Sequence, residues 1–404
     1  MHAFTSITAN YLPKAASLAH SFKRVHPEAK FHVVLSDDMP ECPPEVTSAF
    51  DTIINIDELP IPDLPRFVFR HRIVELCTAV KGRAFQHIAD RFGADRIYYF
   101  DPDIIVTNRL DDMERALDDA SVLLTPHSIE PESDPMAMVD NEITCLKHGV
   151  YNLGFLAVRM DRDGRRFIDW WADRLTRWCY DEVPNGLFTD QRWVDLAPAI
   201  FDGIRILREP QYNVSTWNLS HRRATGSSPY DIRINGRPLV FYHFSGFDSG
   251  AQLTMLDRYG SHSPVLYEFR EWYIAECERM GQSTLGKIPC RYARYRSGLK
   301  IEDSQRLTYR RREDLLNYFR DPFDDSEPAN SFLHWYRTNE DSPGYEPPPA
   351  PAPEPEVALA HPEPATTAEA HSPIRRAIRA HAPEPALKAY RSVRSVLRRL
   401  SHVD

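Results

Sequence analysis

The sequence predicts an α/β fold: a mixed, mainly parallel sheet flanked by helices, followed by a helical carboxy-terminal extension. Two observations carry this. Over roughly the first 260 residues, short apolar runs alternate with stretches of helical periodicity, the rhythm of parallel strands joined by crossover helices. From residue 262 to 335 the apolar runs give way to helical segments rich in Arg and Tyr.

In order, HAFTSITA reads as a strand and LPKAASLAHSFKRVH as a helix. FHVVLSD and DTIINID are strands, and RFVFRHRIVELCTAVKGRAFQHIADRFG carries helical periodicity before the strand DRIYYFD. IIVT, SVLLTP, YNLGFLAVR, GIRIL and PLVFYHF follow as strands, with a long helix over FIDWWADRLTRWCYDE. Four regions result: an α/β domain over 1–260, a helical extension over 261–342, a proline-rich linker over 343–385, and a basic segment over 386–404. The linker rests on composition, since 12 of the chain's 33 prolines lie between Pro343 and Pro385. With few bulky apolar residues it cannot offset its ordering entropy by burial. In the last segment Leu387, Tyr390, Val393, Leu397 and Leu400 share one helical face, with Lys388, Arg391, Arg394, Arg398 and Arg399 elsewhere. Such a helix suits an anionic membrane surface or a partner protein.

Composition removes several function classes. The chain has 404 residues, 42% hydrophobic and 26% charged, and 49 basic against 58 acidic residues give a net charge of −9. That balance supplies no field for nucleic acid. No apolar run approaches the roughly 18 residues of a membrane span, and the first thirty residues lack a signal peptide's apolar stretch. The expected setting is therefore cytoplasmic, with peripheral attachment to the inner membrane face through the basic tail. Six scattered cysteines without C-x-x-C spacing argue against a disulfide scaffold or structural zinc. No glycine-rich dinucleotide or P-loop fingerprint, H-E-x-x-H or G-x-S-x-G is present.

Chemistry concentrates where parallel sheets bind ligands, at the carboxyl ends of strands. There, after Ile97, Tyr98, Tyr99 and Phe100, stand Asp101-Pro102-Asp103. Residues two apart on a strand share a face, so both carboxylates can reach one cation, and Pro102 permits a turn here. Hard carboxylate oxygens suit Mg²⁺ or Mn²⁺ bridged to phosphates. A second D-x-D, Asp161 and Asp163, falls where a strand turns into a helix and reads as a cap.

In this setting the chain resembles glycosyltransferases of the GT-A fold, in layout the retaining family 8 type. The matching pieces run in order from about residue 3 to 250: TSITANYLPKAASLAHS, ELCTAVKGRAF, YYFDPDIIV, YNLGFLAVR, FTDQRWV and VFYHFSG. The resemblance implies that Asp101, Asp103 and His243 hold Mn²⁺, or Mg²⁺, against the diphosphate of a nucleotide-sugar. Gly246 would let backbone approach the phosphates. The family's lysine shortly after that glycine is absent from Gly246-Phe247-Asp248-Ser249-Gly250, leaving Lys81 or an arginine of 291–312 to replace it. Thr8, Asn10 and Tyr11 would contact base and ribose. Asp37 would contact the nucleoside or cap a turn. Asn152 and Gly154 would lie under the donor sugar, and Asp190 and Gln191 at its reactive face, with Thr189 as helix cap.

The implied activity is metal-dependent transfer of a sugar, from a UDP-sugar as the expected donor, to a hydroxyl of a glycan or lipid-linked acceptor. The layout implies retention; an inverting reaction would use Asp190 as base. The arginine-rich segment would suit an anionic acceptor. The alternative is a catalytically inactive relative that binds sugar or protein. A glycoside hydrolase needs no metal, and a nucleotidyltransferase would need a glycine-rich phosphate loop that the amino terminus lacks.

Overall fold

A seven-stranded sheet is the centre of the computed structural model, which describes residues 1–227 and 229–339. Its strands are β1 (His2–Ile7), β2 (Lys30–Leu35), β3 (Thr52–Asn55), β4 (Arg96–Phe100), β6 (Val122–Leu124), β7 (Phe155–Arg159) and β8 (Ile204–Ile206). Two further strands, β5 (Ile104–Val106) and β9 (Phe241–His243), form a separate antiparallel ribbon. The sheet order is β8-β6-β7-β4-β1-β2-β3. All neighbours are parallel except around β7, which runs antiparallel to both β4 and β6. The fold class expected from the sequence is the one observed.

Central strands are largely apolar because both sheet faces are covered. In β4, Ile97 and Tyr99 face one core with Phe4 and Val34, while Tyr98 and Phe100 face the other with Ala3 and Val33. Helix α1 (Leu12–Val25) carries Pro13 at its start, where a missing N–H costs nothing, and covers the second face with Leu12, Ala15, Ala16, Leu18 and Phe22. The segment read as one long helical stretch breaks into α2 (Leu64–Phe69), α3 (Ile73–Ala79) and α4 (Lys81–Phe92), and the interruption holds the fully buried His71. Helix α5 (Arg162–Trp178) packs on α4 at Gly82, where a Cβ would lie 2.6 Å from Ala172 Cα, so only glycine permits this approach. Asp161 caps α5 by accepting from Gly164 N at 2.9 Å, the structural role expected for that pair.

A short helix, α6 (Gln191–Val194), and α7 (Ala251–Tyr259) precede a helical carboxy-terminal part built on α8 (Val265–Arg279), α9 (Asp303–Arg311) and α10 (Phe332–Asn339). In α8, Phe269 and Tyr273 pack on Phe244 just past β9. From α9, Arg306 donates to the carbonyls of Phe69 (2.9 Å) and His71 (3.0 Å), closing the break after α2. Buried Arg310 pairs with Glu75 of α3 at 2.9 Å and also with Glu182. The described residues belong to one compact unit. The proline-rich segment 343–385 and the basic segment 386–404 lie outside them. No described helix is long and apolar enough to cross a membrane.

Candidate functional site

The end of β4 places the first two acidic groups. Asp101 N donates to Gly154 O at 2.7 Å, tying the end of β4 to the start of β7. Ile104 N then returns to Asp101 O at 3.1 Å, so residues 101–103 form a turn that carries both carboxylates. The ribbon supplies the third group. His243 of β9 pairs in register with Ile104 of β5, and Phe244 N donates to Asp103 O at 2.9 Å. His243 Nε2 consequently lies 3.1 Å from Asp103 Oδ1 and 3.8 Å from Asp101 Oδ2.

One donor atom from each of Asp101, Asp103 and His243 falls within 4.8 Å of the others. Burial opposes ionisation of Asp103, but the attraction of His243 and, more weakly, of Lys14 holds its pKa below the usual carboxylate range. Burial likewise opposes the charge on His243, and Asp103 outweighs it, holding the imidazole above its ordinary value. His243 Nδ1 is buried with no hydrogen-bond partner among the described residues. Two carboxylates and one imidazole, preassembled at the carboxyl edge of the sheet, fit a divalent cation.

Around this triad is a second, buried charge cluster. Lys81, the first residue of α4, is 3% exposed, with Nζ 2.9 Å from Asp190 Oδ2, 3.3 Å from Asp101 Oδ1 and 3.1 Å from Leu153 O. Burial works against its ammonium, yet Asp101 and Asp190 raise its pKa. Burial raises the pKa of Asp190, and Lys81 opposes that. Asp190 is the cap residue of α6, and Thr189 precedes it with φ of 45°. Thr189 therefore does not cap this helix as expected. The Gln191 amide is spent on the backbone, accepting from Leu153 N at 3.1 Å and donating to His148 O at 2.9 Å. It clamps the 148–153 loop.

The positions of Asn152 and Gly154 differ from expectation. Strand β7 begins only at Phe155, and the preceding turn holds both residues. Asn152 Oδ1 accepts from Gly154 N at 2.9 Å, and Gly154 leaves the space that the His243 ring fills. After β1, at the same carboxyl edge, Thr8 Oγ1 donates to Asn10 Oδ1 at 2.7 Å. Asp37 accepts from the amides of Ala9 (3.1 Å), Asp38 (2.9 Å) and Arg291 (2.9 Å), the turn-capping alternative for this residue. Gly246 has φ of +74°, a conformation that favours glycine.

Several arginines of the 291–312 segment have partners within the protein. Arg291 pairs with Asp38, Arg296 with Asp321 and Asp324, and Arg310 with Glu75 and Glu182, while Arg306 is buried against carbonyls. These cations hold the carboxy-terminal part in place. Two polar residues escaped sequence reading. Asn213, at φ of 47°, donates to Thr125 Oγ1 (2.9 Å) and Asn152 O (3.2 Å). Lys14 sits inside α1 at 3% exposure and reaches Asp248. Its signal was a charge within an otherwise apolar helical run.

No protein-family model matches the chain. It is 29% identical over 153 residues to the uncharacterized protein YfnF of Bacillus subtilis (strain 168), covering 38% of this chain and 47% of that one. It thus spans about half the length of that relative. The uncharacterized YfnD of the same organism is 23% identical over 250 residues, covering 61% of this chain and 78% of that one. Solved structures that it resembles include glycosyltransferases. The galactosyltransferase LgtC, in complex with donor and acceptor sugar analogues, matches with a TM-score of 0.43 and 15% identity over 72% of this chain and 98% of LgtC. Mouse xyloside xylosyltransferase 1 matches with a TM-score of 0.37 and 14% identity over 60% of this chain and 97% of its own.

Proposed function

We propose that this protein is a metal-dependent glycosyltransferase that moves a sugar from a nucleoside-diphosphate sugar, with UDP as the carrier, to a hydroxyl of a glycan or lipid-linked acceptor. The observation that carries the reading is the convergence of Asp101, Asp103 and His243 within 4.8 Å at the carboxyl edge of the sheet. A Mn²⁺ or Mg²⁺ ion held by these three residues would supply Lewis-acid stabilisation of the charge that develops on the leaving diphosphate.

The chain's own residues prepare that site. The turn at residues 101–103 and the β5–β9 pairing fix the ligands before substrate arrives, so little reorganisation accompanies reaction. Lys81 holds Asp101 and Asp190 together, and in this reading Asp190 is the carboxylate that would stabilise developing positive charge on the sugar. Retention, with the acceptor attacking on the leaving-group face, is part of the proposal and is supported by the sequence's resemblance to the family 8 layout. The basic segment 386–404 is the proposed attachment to an anionic membrane face. Deleting residues 374–404 should then release the protein from anionic vesicles, and unchanged binding would refute it.

The deciding experiment is a thermal-shift screen of UDP- and GDP-sugars, with Mn²⁺ and with EDTA, on wild type and Asp103→Ala. A ligand at a hundred times its Kd adds about 2.7 kcal/mol. Stabilisation of the wild type alone, and only with metal, is the expected result. Absence of any metal-dependent binding would favour the inactive, binding-protein alternative.

A further inference from the structure

The stretch after β9 carries no cation between Gly246 and Gly250, and Asp248 adds a negative charge there. That carboxylate is engaged. Both of its oxygens lie 2.6 Å from Lys14 Nζ, and the Tyr11 hydroxyl donates to Oδ2 at 2.7 Å. The Lys14 ammonium also lies 4.6 Å from the Tyr11 ring centre and 5.6 Å from that of Phe247.

The two partners are unequally placed. The Lys14 side chain is 3% exposed and that of Asp248 is 53% exposed. A buried ammonium needs an anion beside it, because water cannot replace one there. An exposed carboxylate returns to water at little cost. Its loop is bounded by Gly246 (φ +74°) and Gly250 (φ +78°), which give it backbone freedom. The anion is therefore the exchangeable member of the pair. The pair also bridges two parts of the site, since Tyr11 follows β1 and Asp248 lies five residues beyond His243.

We propose that Lys14 is the diphosphate-binding cation of this chain, and that Asp248 is a built-in stand-in anion which the incoming diphosphate displaces. The assignment rests on the nucleotide-sugar reading given above. It moves the cation from the loop after β9 to helix α1 and turns that loop into a competitor for the phosphate site. The two charges then act with opposite sign on affinity. Removing the Lys14 charge weakens diphosphate binding, whereas removing the Asp248 charge frees Lys14 and tightens it. An ion pair with only a structural role would lower stability from either side and leave affinity unmoved.

The test is calorimetric titration of UDP, GDP and inorganic pyrophosphate, each with Mn²⁺, into wild type, Lys14→Met, Asp248→Asn and the double variant, with circular dichroism confirming folding. Loss of a charge-assisted contact predicts a fall in affinity of about 10- to 100-fold for Lys14→Met. Relief of competition predicts a rise of roughly 3- to 10-fold for Asp248→Asn, with the double variant resembling Lys14→Met. Asp248 is on the surface, so its variant tests the idea even if Lys14→Met folds poorly. Nucleoside diphosphates that bind wild type and Asp248→Asn equally, or Lys14→Met as well as wild type, overturn the assignment and leave the transferase reading intact. If pyrophosphate follows the predicted pattern while UDP and GDP bind no better than pyrophosphate, the cation assignment stands and the nucleotide-sugar reading falls. If none of the three binds wild type, both fall.

Discussion

The imidazole of His243 occupies the space that a Cβ on Gly154 would need: such an atom would lie 2.3 Å from Cε1 and 2.6 Å from Nδ1 of the ring. The glycine at the mouth of β7 is therefore what lets β9 deliver its histidine to the carboxylates at the end of β4. Gly154→Ala should displace the ring and cost about 1–3 kcal/mol through overpacking. It should also abolish stabilisation by Mn²⁺ in a thermal melt. A variant that melts like wild type and keeps its metal response would show that the ring does not depend on this glycine.

Lys81 stands between two acidic groups, and Asp190 is 3% exposed. Removing one member of a buried pair leaves the other without compensation, at about 3–5 kcal/mol. Lys81→Met should therefore destabilise strongly in denaturant unfolding, and adding Asp190→Asn should recover part of the loss. If the double variant is no more stable than the single one, Asp190 is not the charge that Lys81 compensates.

Arg310 and Glu75 are 1% and 2% exposed and join the carboxy-terminal part to α3. By the same reasoning Arg310→Met should cost about 3–5 kcal/mol. Limited proteolysis of this variant should cut first between residues 290 and 339. Wild-type resistance would mean that the aromatic packing of Phe69, Tyr309 and Phe332 suffices.

His32 is buried against His2 and Phe92, and that burial lowers its pKa to about 4; burial also lowers the pKa of His2. A histidine depressed in the folded state contributes stability that is full above its unfolded value, near 6.5, and is lost as pH falls toward the folded value. Melting temperature should decline between pH 6.5 and 4, with His32 accounting for roughly 3 kcal/mol of the lost stability. His32→Phe should flatten the decline over that interval, and an unchanged slope would assign it to other groups.

Much of the scaffold was legible because burial on both sheet faces leaves a direct mark. Ile97, Tyr98, Tyr99 and Phe100 are apolar in succession, and the aspartates that follow mark where the strand meets solvent. The start of β7 was less legible. YNLGFLAVR is apolar enough to read as one strand, but Asn152 bonds Gly154 N and holds a turn until Phe155. Lys14 was missed because lysines on helices are normally solvated, and a single sequence does not say which are buried. The ion pairs of the 291–312 arginines are not legible in sequence, because their partners Asp38, Glu75, Glu182, Asp321 and Asp324 are mostly distant along the chain.

By itself, the sequence determined the alternation of strands and helices and the chemical types of the donors at the carboxyl edge of β4. Those are local properties, set by periodicity and by the residues at a strand's end. Tertiary structure alone decided that Asp101 and Asp103 turn toward each other, that the β5–β9 pairing brings His243 to them, and that Lys14 faces Asp248. The last two depend on register or on a close approach between distant segments. Such contacts form only when the whole chain has packed, since the energy that selects them is shared among many buried neighbours rather than written in any one stretch.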